Sequence, residues 1–173
     1  LLLANENGDN PYGVFADGEW KVQSYGPVYY NVYIEDGMIT IPDFTVQMSD
    51  GSTVTGASLR SGVALIMFFN TGCPDCRNTL PAVQQMYGKF SNDVTFALIS
   101  REQVDEEIVP YWGSQGYTLP YSAQADRRVY NLFATTRVPR VYICHNGIVK
   151  YMYHDNPIAT AQDLEGNLME LLF

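Results

Sequence analysis

Cys73 and Cys76 form a C-x-x-C within the segment Phe68-Phe69-Asn70-Thr71-Gly72-Cys73-Pro74-Asp75-Cys76-Arg77-Asn78-Thr79-Leu80-Pro81. That spacing serves either thiol–disulfide exchange or metal binding. The surroundings favour exchange. An apolar strand ends at Phe69, a tight turn follows, and the motif opens a helix. A thiol at a helix start faces unpaired backbone N–H groups and the positive end of the helix dipole. Both favour the thiolate, which is the nucleophile. Pro74 suits the first helical turn, where no N–H bond is lost. In the cycle this implies, Cys73, the more exposed sulfur, attacks a substrate disulfide. Cys76, one helical turn on, then attacks Cys73 and releases the reduced substrate. The product is a Cys73–Cys76 disulfide, so no cofactor is expected beyond it, and a separate reductant must restore the dithiol.

Two alternatives stand beside exchange. A zinc site needs about four ligands. The chain has no second C-x-x-C, and His145 and His154 are not at zinc spacing, so no metal is expected. The other alternative is a pair of inert structural cysteines, which the strand-to-helix turn disfavours. The third cysteine, Cys144, lies in an apolar strand and reads as a small buried hydrophobe. An odd cysteine count also argues against a structural disulfide framework.

Asp75 sets a negative charge beside the nucleophile. At about 7 Å and an effective dielectric of about 20, the repulsion is at most about 2 kcal/mol. The helix terminus contributes about 0.3–2 kcal/mol in the opposite sense. The two are comparable, so the thiolate is not expected to be strongly stabilised. Such a dithiol is the better reductant, which favours reductase over oxidase.

The elements that must position these residues follow from periodicity. Val63–Phe69 is apolar on both faces, as a central buried strand should be. Leu80, Val83, Tyr87 and Phe90 recur at steps of three and four and give a helix one apolar face. Val94–Ile99 predicts a second buried strand. Residues 104–115 predict a helix interrupted at Pro110. Residues 117–122 read as loop or short strand. Asp126 is a good N-cap for a helix over Arg127–Phe133. Val141–Cys144 predicts a third strand, and Asn146-Gly147 is the strongest hairpin signal in the chain, returning it through Ile148–Tyr153. Residues 159–172 close the chain as an amphipathic helix. Strands alternating with helices predict an α/β fold, a central mixed sheet flanked by helices.

Ahead of this lies a β-rich N-terminal extension over residues 1–38, followed by the main domain at 39–173. Residues 1–18, rich in Asn, Asp and Gly, read as a loose lead-in. Residues 19–34 read as two short strands in a hairpin, and Glu35-Asp36-Gly37 as a turn. The tyrosines from Tyr25 to Tyr33 read as half-buried sheet in preference to a partner-binding face. Ile41–Val46 predicts a further strand, and Asp50-Gly51 a tight turn between Val46–Met48 and Thr53-Val54.

The chain of 173 residues is 46% hydrophobic and 17% charged, enough apolar material for a sizeable core. Its net charge of −9 argues against nucleic acid as a partner, because phosphate binding needs a cationic face. No stretch approaches the roughly 18 apolar residues of a spanning helix. Leu1-Leu2-Leu3-Ala4 reads equally as the tail of a secretory apolar region or as an arbitrary start.

Together these residues resemble the TlpA/ResA, or redoxin, branch of the thioredoxin superfamily. The resemblance covers roughly residues 41–173. Ile41-Pro42-Asp43-Phe44 resembles its opening "PDF" segment. Phe68–Pro81 resembles its active-site strand, C-x-x-C and helix, and Val138-Pro139 falls where the family has its cis-proline. The resemblance implies a thioredoxin-like fold and a disulfide reductase or related exchange activity outside the cytoplasm. It implies that Val138 and Pro139 lie against the sulfurs and, with Pro74 and Asp75, receive an incoming peptide. Expected partners are protein disulfides and an upstream electron donor such as a membrane thiol relay; the oligomeric state is left open.

Several positions depart from the pattern. Gly72 stands where many members have Trp. Thr79 stands where many TlpA/ResA proteins carry a Glu linked to cytochrome c maturation, which puts that role in doubt. Met67 stands where thioredoxin has a buried Asp, so no carboxylate is evident as a proton relay. Two rival functions remain. Thiol peroxidases use P-x-x-x-T-x-x-C, and here Ile66 and Asn70 occupy the Pro and Thr positions. A binding module using the fold as a scaffold is the other.

Overall fold

The computed structural model describes residues 3–4, 11–16, 19–22 and 39–173. Three strands, β1 (Leu3–Ala4), β2 (Pro11–Ala16) and β3 (Glu19–Val22), pair antiparallel in a small sheet of order β1-β2-β3. The expected loose lead-in is thus corrected: residues 11–16 are a strand. Ala16 pairs with Glu19, and the sequence between them, Asp17-Gly18, is itself a two-residue hairpin signal. Of the two strands expected within residues 19–34, Glu19–Val22 is present as β3 and pairs with β2. The rest of that expectation, with the Tyr25–Tyr33 stretch, lies outside the described residues.

The main sheet has six strands in the order β4-β11-β10-β7-β8-β9. These are β4 (Ile39–Thr40), β7 (Val63–Phe69), β8 (Val94–Ser100), β9 (Tyr121–Ser122), β10 (Arg140–His145) and β11 (Ile148–Tyr153). A separate hairpin joins β5 (Thr45–Gln47) to β6 (Thr53–Thr55) around Asp50-Gly51. β7, β8 and β9 run parallel; β10, β11 and β4 add antiparallel pairs. The strand expected over Ile41–Val46 is interrupted. Pro42 has no N–H to give a ladder, and the chain pairs only before and after it.

All seven residues of β7 are buried, as a strand with neighbours on both edges and cover on both faces must be. Successive side chains of a strand point to opposite faces. Phe68 meets Phe133 at 4.9 Å and Tyr130 at 5.5 Å between ring centroids, whereas Phe69 meets Trp112 at 5.1 Å. A 3-10 turn (Tyr130–Leu132) and helix α2 (Asp105–Gln115) therefore cover opposite faces of β7. Helix α1 (Pro74–Phe90) packs against α3 (Ala161–Leu172), with Lys89 and Glu165 paired at 2.8 Å at the surface. Thr160 and Asp163 cap α3 reciprocally.

Two helical expectations are corrected. Pro110 does not interrupt α2; it sits on the exposed side, where the carbonyl it leaves unpaired can face water. Arg127–Phe133 is not an α-helix but contains only the 3-10 turn. Asp126 does accept the Arg128 N–H at 2.9 Å, as a cap would, but the residues behind it turn tightly to bring Tyr130 and Phe133 onto Phe68.

Candidate active site

The parallel strands β7 and β8 end together, with Phe69 opposite Ser100. The chain leaving β7 must turn at once into α1, and Asn70 shapes that turn. Its side-chain oxygen accepts the Gly72 N–H at 2.8 Å, its amide donates to the Arg101 carbonyl at 3.1 Å, and its own carbonyl accepts the Cys73 N–H at 3.0 Å. Cys73 is the N-cap of α1, in extended conformation and half-buried; its carbonyl accepts the Arg77 N–H, the first bond of the helix. Pro74 occupies the first turn, as expected.

Cys76, one turn on, is wholly buried. The Asn70 N–H donates to its Sγ at 3.5 Å. Burial pushes the Cys76 thiol well above the usual range, and the Asn70 N–H opposes that shift. The two sulfurs thus differ in kind: one meets solvent, the other lies in the interior, where burial disfavours its thiolate.

The Cys73 Sγ lies 3.5 Å from the Val138 carbonyl oxygen, to which it donates. The Val138–Pro139 peptide bond is cis, and both residues are buried. The fold therefore brings Cys73, Cys76, Val138 and Pro139 together from segments 65 residues apart. Pro74 is exposed and Asp75 half-buried on the same turn of α1, with the Asp75 carbonyl taken by the Thr79 hydroxyl at 2.8 Å. Thr79 and Met67, at two of the three departures from the family pattern, are both fully buried, and neither brings a carboxylate.

Cys144 is elsewhere. It pairs with Ala64 while Arg140 pairs with Phe68, four residues nearer the site, so it stands about 13 Å back along the sheet. Burial alone pushes its thiol up to about 12. His145 pairs with Val63 at the far end of β7, and His154 contacts Asp155 at 3.1 Å. Among the described residues, no three His, Cys, Asp or Glu side chains cluster as a metal site would require.

Three contributors were not read from the sequence. Gln103, buried, binds the backbone and hydroxyl of Thr71 in the active-site turn. Arg101 lays its guanidinium 5.0 Å above the Tyr130 ring beside the site. Arg140, directly after the cis-proline, is fully buried, and its guanidinium donates to the Thr136 carbonyl at 2.6 Å. No local signal marks Gln103. A charged residue at the mouth of an apolar strand was the one available sign for Arg101 and Arg140.

The model of the AhpC/TSA family matches residues 39–152, from β4 into β11 and across the whole site. The chain belongs to the AhpC/TSA family. Its fold is thioredoxin-like, and similar solved structures agree. A proposed protein disulfide isomerase from Bacteroides thetaiotaomicron superposes with a TM-score of 0.71 at 23% identity, covering 77% of this chain and 87% of that one. A thiol:disulfide interchange protein of the thioredoxin family from Chlorobium tepidum gives 0.66 at 22% identity, covering 78% and 96%. A secreted disulfide oxidoreductase from Mycobacterium tuberculosis, homologous to E. coli DsbE, gives 0.66 at 20%, covering 75% and 96%. No curated protein matches the chain in sequence. This AhpC/TSA member therefore shares its architecture with proteins described as disulfide-exchange enzymes, at identities that speak for the fold.

Proposed function

We propose that this AhpC/TSA member is a thiol–disulfide oxidoreductase of TlpA/ResA type that reduces protein disulfides. One observation carries the reading: Cys73 is half-exposed at the start of α1 against the Val138 carbonyl, with Cys76 buried one turn behind it. The exposed sulfur is placed to attack, and the buried one to resolve. In this scheme the working domain is residues 39–173. Val138 offers its backbone to the incoming peptide, Pro139 holds that backbone in place, and Pro74 and Asp75 form the rim the peptide meets. No metal or cofactor takes part. A dithiol donor, of the kind a membrane thiol relay supplies, restores Cys73 and Cys76, and the setting is extracytoplasmic. The similar secreted oxidoreductase supports that setting.

The peroxidase reading gains nothing from the position that would have to be Thr. The Asn70 side chain is already bonded to Gly72 and Arg101.

The deciding measurement is the Cys73–Cys76 reduction potential, by equilibration against glutathione or dithiothreitol with thiol trapping. A value near about −250 mV or lower supports a reductase. A value above about −150 mV makes the protein an oxidant or isomerase. Failure to form the disulfide turns the reading toward a non-redox binding scaffold.

A further inference from the structure

The backbone that faces the nucleophile is held at successive carbonyls. The Val138 carbonyl lies 3.5 Å from the Cys73 sulfur. The Arg137 carbonyl before it accepts the Tyr130 hydroxyl at 2.5 Å, and the Thr136 carbonyl accepts the Arg140 guanidinium at 2.6 Å. Between these anchors Arg137 has a φ of 69°, in the left-handed region that a residue with a Cβ rarely adopts. Such a conformation persists where the surroundings over-determine it.

The Arg137 side chain adds a further tie. Its Nη1 reaches both carboxylate oxygens of Asp155, at 3.2 and 3.3 Å. Asp155 stands two residues past the end of β11, and its side chain is only 24% exposed. The His154 ring lies against the same carboxylate, with Nδ1 3.1 Å from Oδ1. Burial opposes ionisation of Asp155, but Arg137 and then His154 outweigh it and hold the carboxyl below its usual range. The pair is therefore charged at neutral pH. It also sits where the sheet can no longer act. The β10–β11 ladder stops with Val141 opposite Tyr153, and Pro139 has no N–H with which to continue it. Beyond that point the Arg137–Asp155 pair joins the loop before β10 to the loop after β11.

We propose that Asp155 is a positioning residue for substrate: through Arg137 it fixes the Val138 backbone in the place where an incoming peptide meets Cys73. This rests on the exchange reading of Cys73 and Cys76. Asp155 touches neither sulfur nor substrate. Its contribution runs along a chain of contacts, from carboxylate to guanidinium, through the Arg137 backbone, to the carbonyl against the nucleophile.

The test is a single turnover of the reduced full chain with excess synthetic cyclic peptide closed by one disulfide. Two electrons pass to the peptide, which becomes a dithiol, while Cys73 and Cys76 become the disulfide. Acid quenching, maleimide labelling and intact mass follow the conversion at a series of peptide concentrations. Asp155→Asn should raise the half-saturating concentration about tenfold, as the loss of one peptide hydrogen bond would. The limiting rate should change less. Reaction of Cys73 with dithiobis-nitrobenzoate, a small reagent with no peptide backbone, should stay near wild type. So should the thermal midpoint, because a partly exposed ion pair adds little to global stability. Arg137→Gln removes the other partner and should give the same shift should Asp155→Asn fold poorly. The double variant should be no worse than either single one, and Arg137→Lys should recover part of the loss. Superimposable saturation curves for wild type and either single variant overturn the inference. So do losses that multiply in the double variant, or a dithiobis-nitrobenzoate reaction slowed as much as the peptide reaction. A wild-type chain that reacts with dithiobis-nitrobenzoate but reduces no peptide disulfide overturns the exchange reading itself, a distinct outcome.

Discussion

Gln103 and Thr71 are joined twice: the Gln103 side-chain oxygen accepts the Thr71 N–H at 2.8 Å, and its amide donates to the Thr71 hydroxyl. Both residues are buried. The turn that presents Cys73 is thus clamped by a side chain from the segment that follows β8, across 32 positions of sequence. Gln103→Ala strands a buried N–H and a buried hydroxyl. The expected loss is about 1–3 kcal/mol in urea denaturation, with faster alkylation of Cys73 as its turn loosens. Unchanged stability and unchanged alkylation would show that the clamp does not hold the turn.

The proposed division of labour between the sulfurs predicts an asymmetric trap. With a protein disulfide as substrate, Cys76→Ser should accumulate a mixed disulfide through Cys73, visible as a reducible band on non-reducing gels. Cys73→Ser should form none, because Cys76 is wholly buried. Equal trapping by both variants would contradict the assignment of nucleophile and resolver.

The buried Cys144 thiol, raised to about 12 against an ordinary value of 9.0, predicts an alkaline liability. The folded state keeps that proton while the unfolded chain releases it above about pH 9. Stability from this group is full below pH 9 and is lost as pH rises toward 12, by up to about 1.4 kcal/mol per pH unit. Cys144→Val should flatten the stability–pH curve in that window when urea midpoints are compared with wild type. Parallel curves for the two proteins would refute it. Tyr117 and Tyr121, also raised to about 12, leave a common residual slope in both.

Gly56 tests a close approach of backbone to backbone. A Cβ there would lie 2.1 Å from the Pro42 carbonyl oxygen and 3.2 Å from the Asp43 Cα. Neither neighbour is a side chain that can swing aside. Gly56→Ala should cost more than about 2 kcal/mol, in the range of strained or overpacked substitutions. A thermal midpoint within a degree of wild type would show that the β5–β6 hairpin shifts freely.

The sheet was legible because its strands carry their own signals. Val63–Phe69 is too uniformly apolar for a half-exposed strand, and Asn146-Gly147 marks its hairpin without help from the rest of the fold. The sulfurs were legible for the same reason: strand, turn and helix start are contiguous around them. What escaped was set by distant contacts. The Arg127–Phe133 segment has a cap at Asp126, yet packing of Tyr130 and Phe133 onto Phe68 overrides helical continuation. Gln103 is a polar residue after a strand until the fold folds it under Thr71. Arg101 gains its meaning only once Tyr130 lies beneath it. Pro110 was misjudged because whether a proline breaks a helix depends on which side of the helix meets water.

The unequal exposure of the three thiols also makes the molecule its own folding gauge. Cys73 is half-exposed, while Cys76 and Cys144 are fully enclosed. A bulky maleimide applied briefly to the reduced native protein should attach at one position, and to the unfolded chain at three. Counting attached labels by intact mass would then report the unfolded fraction directly, and the single native label would give a handle for attaching a fluorophore at the mouth of the site.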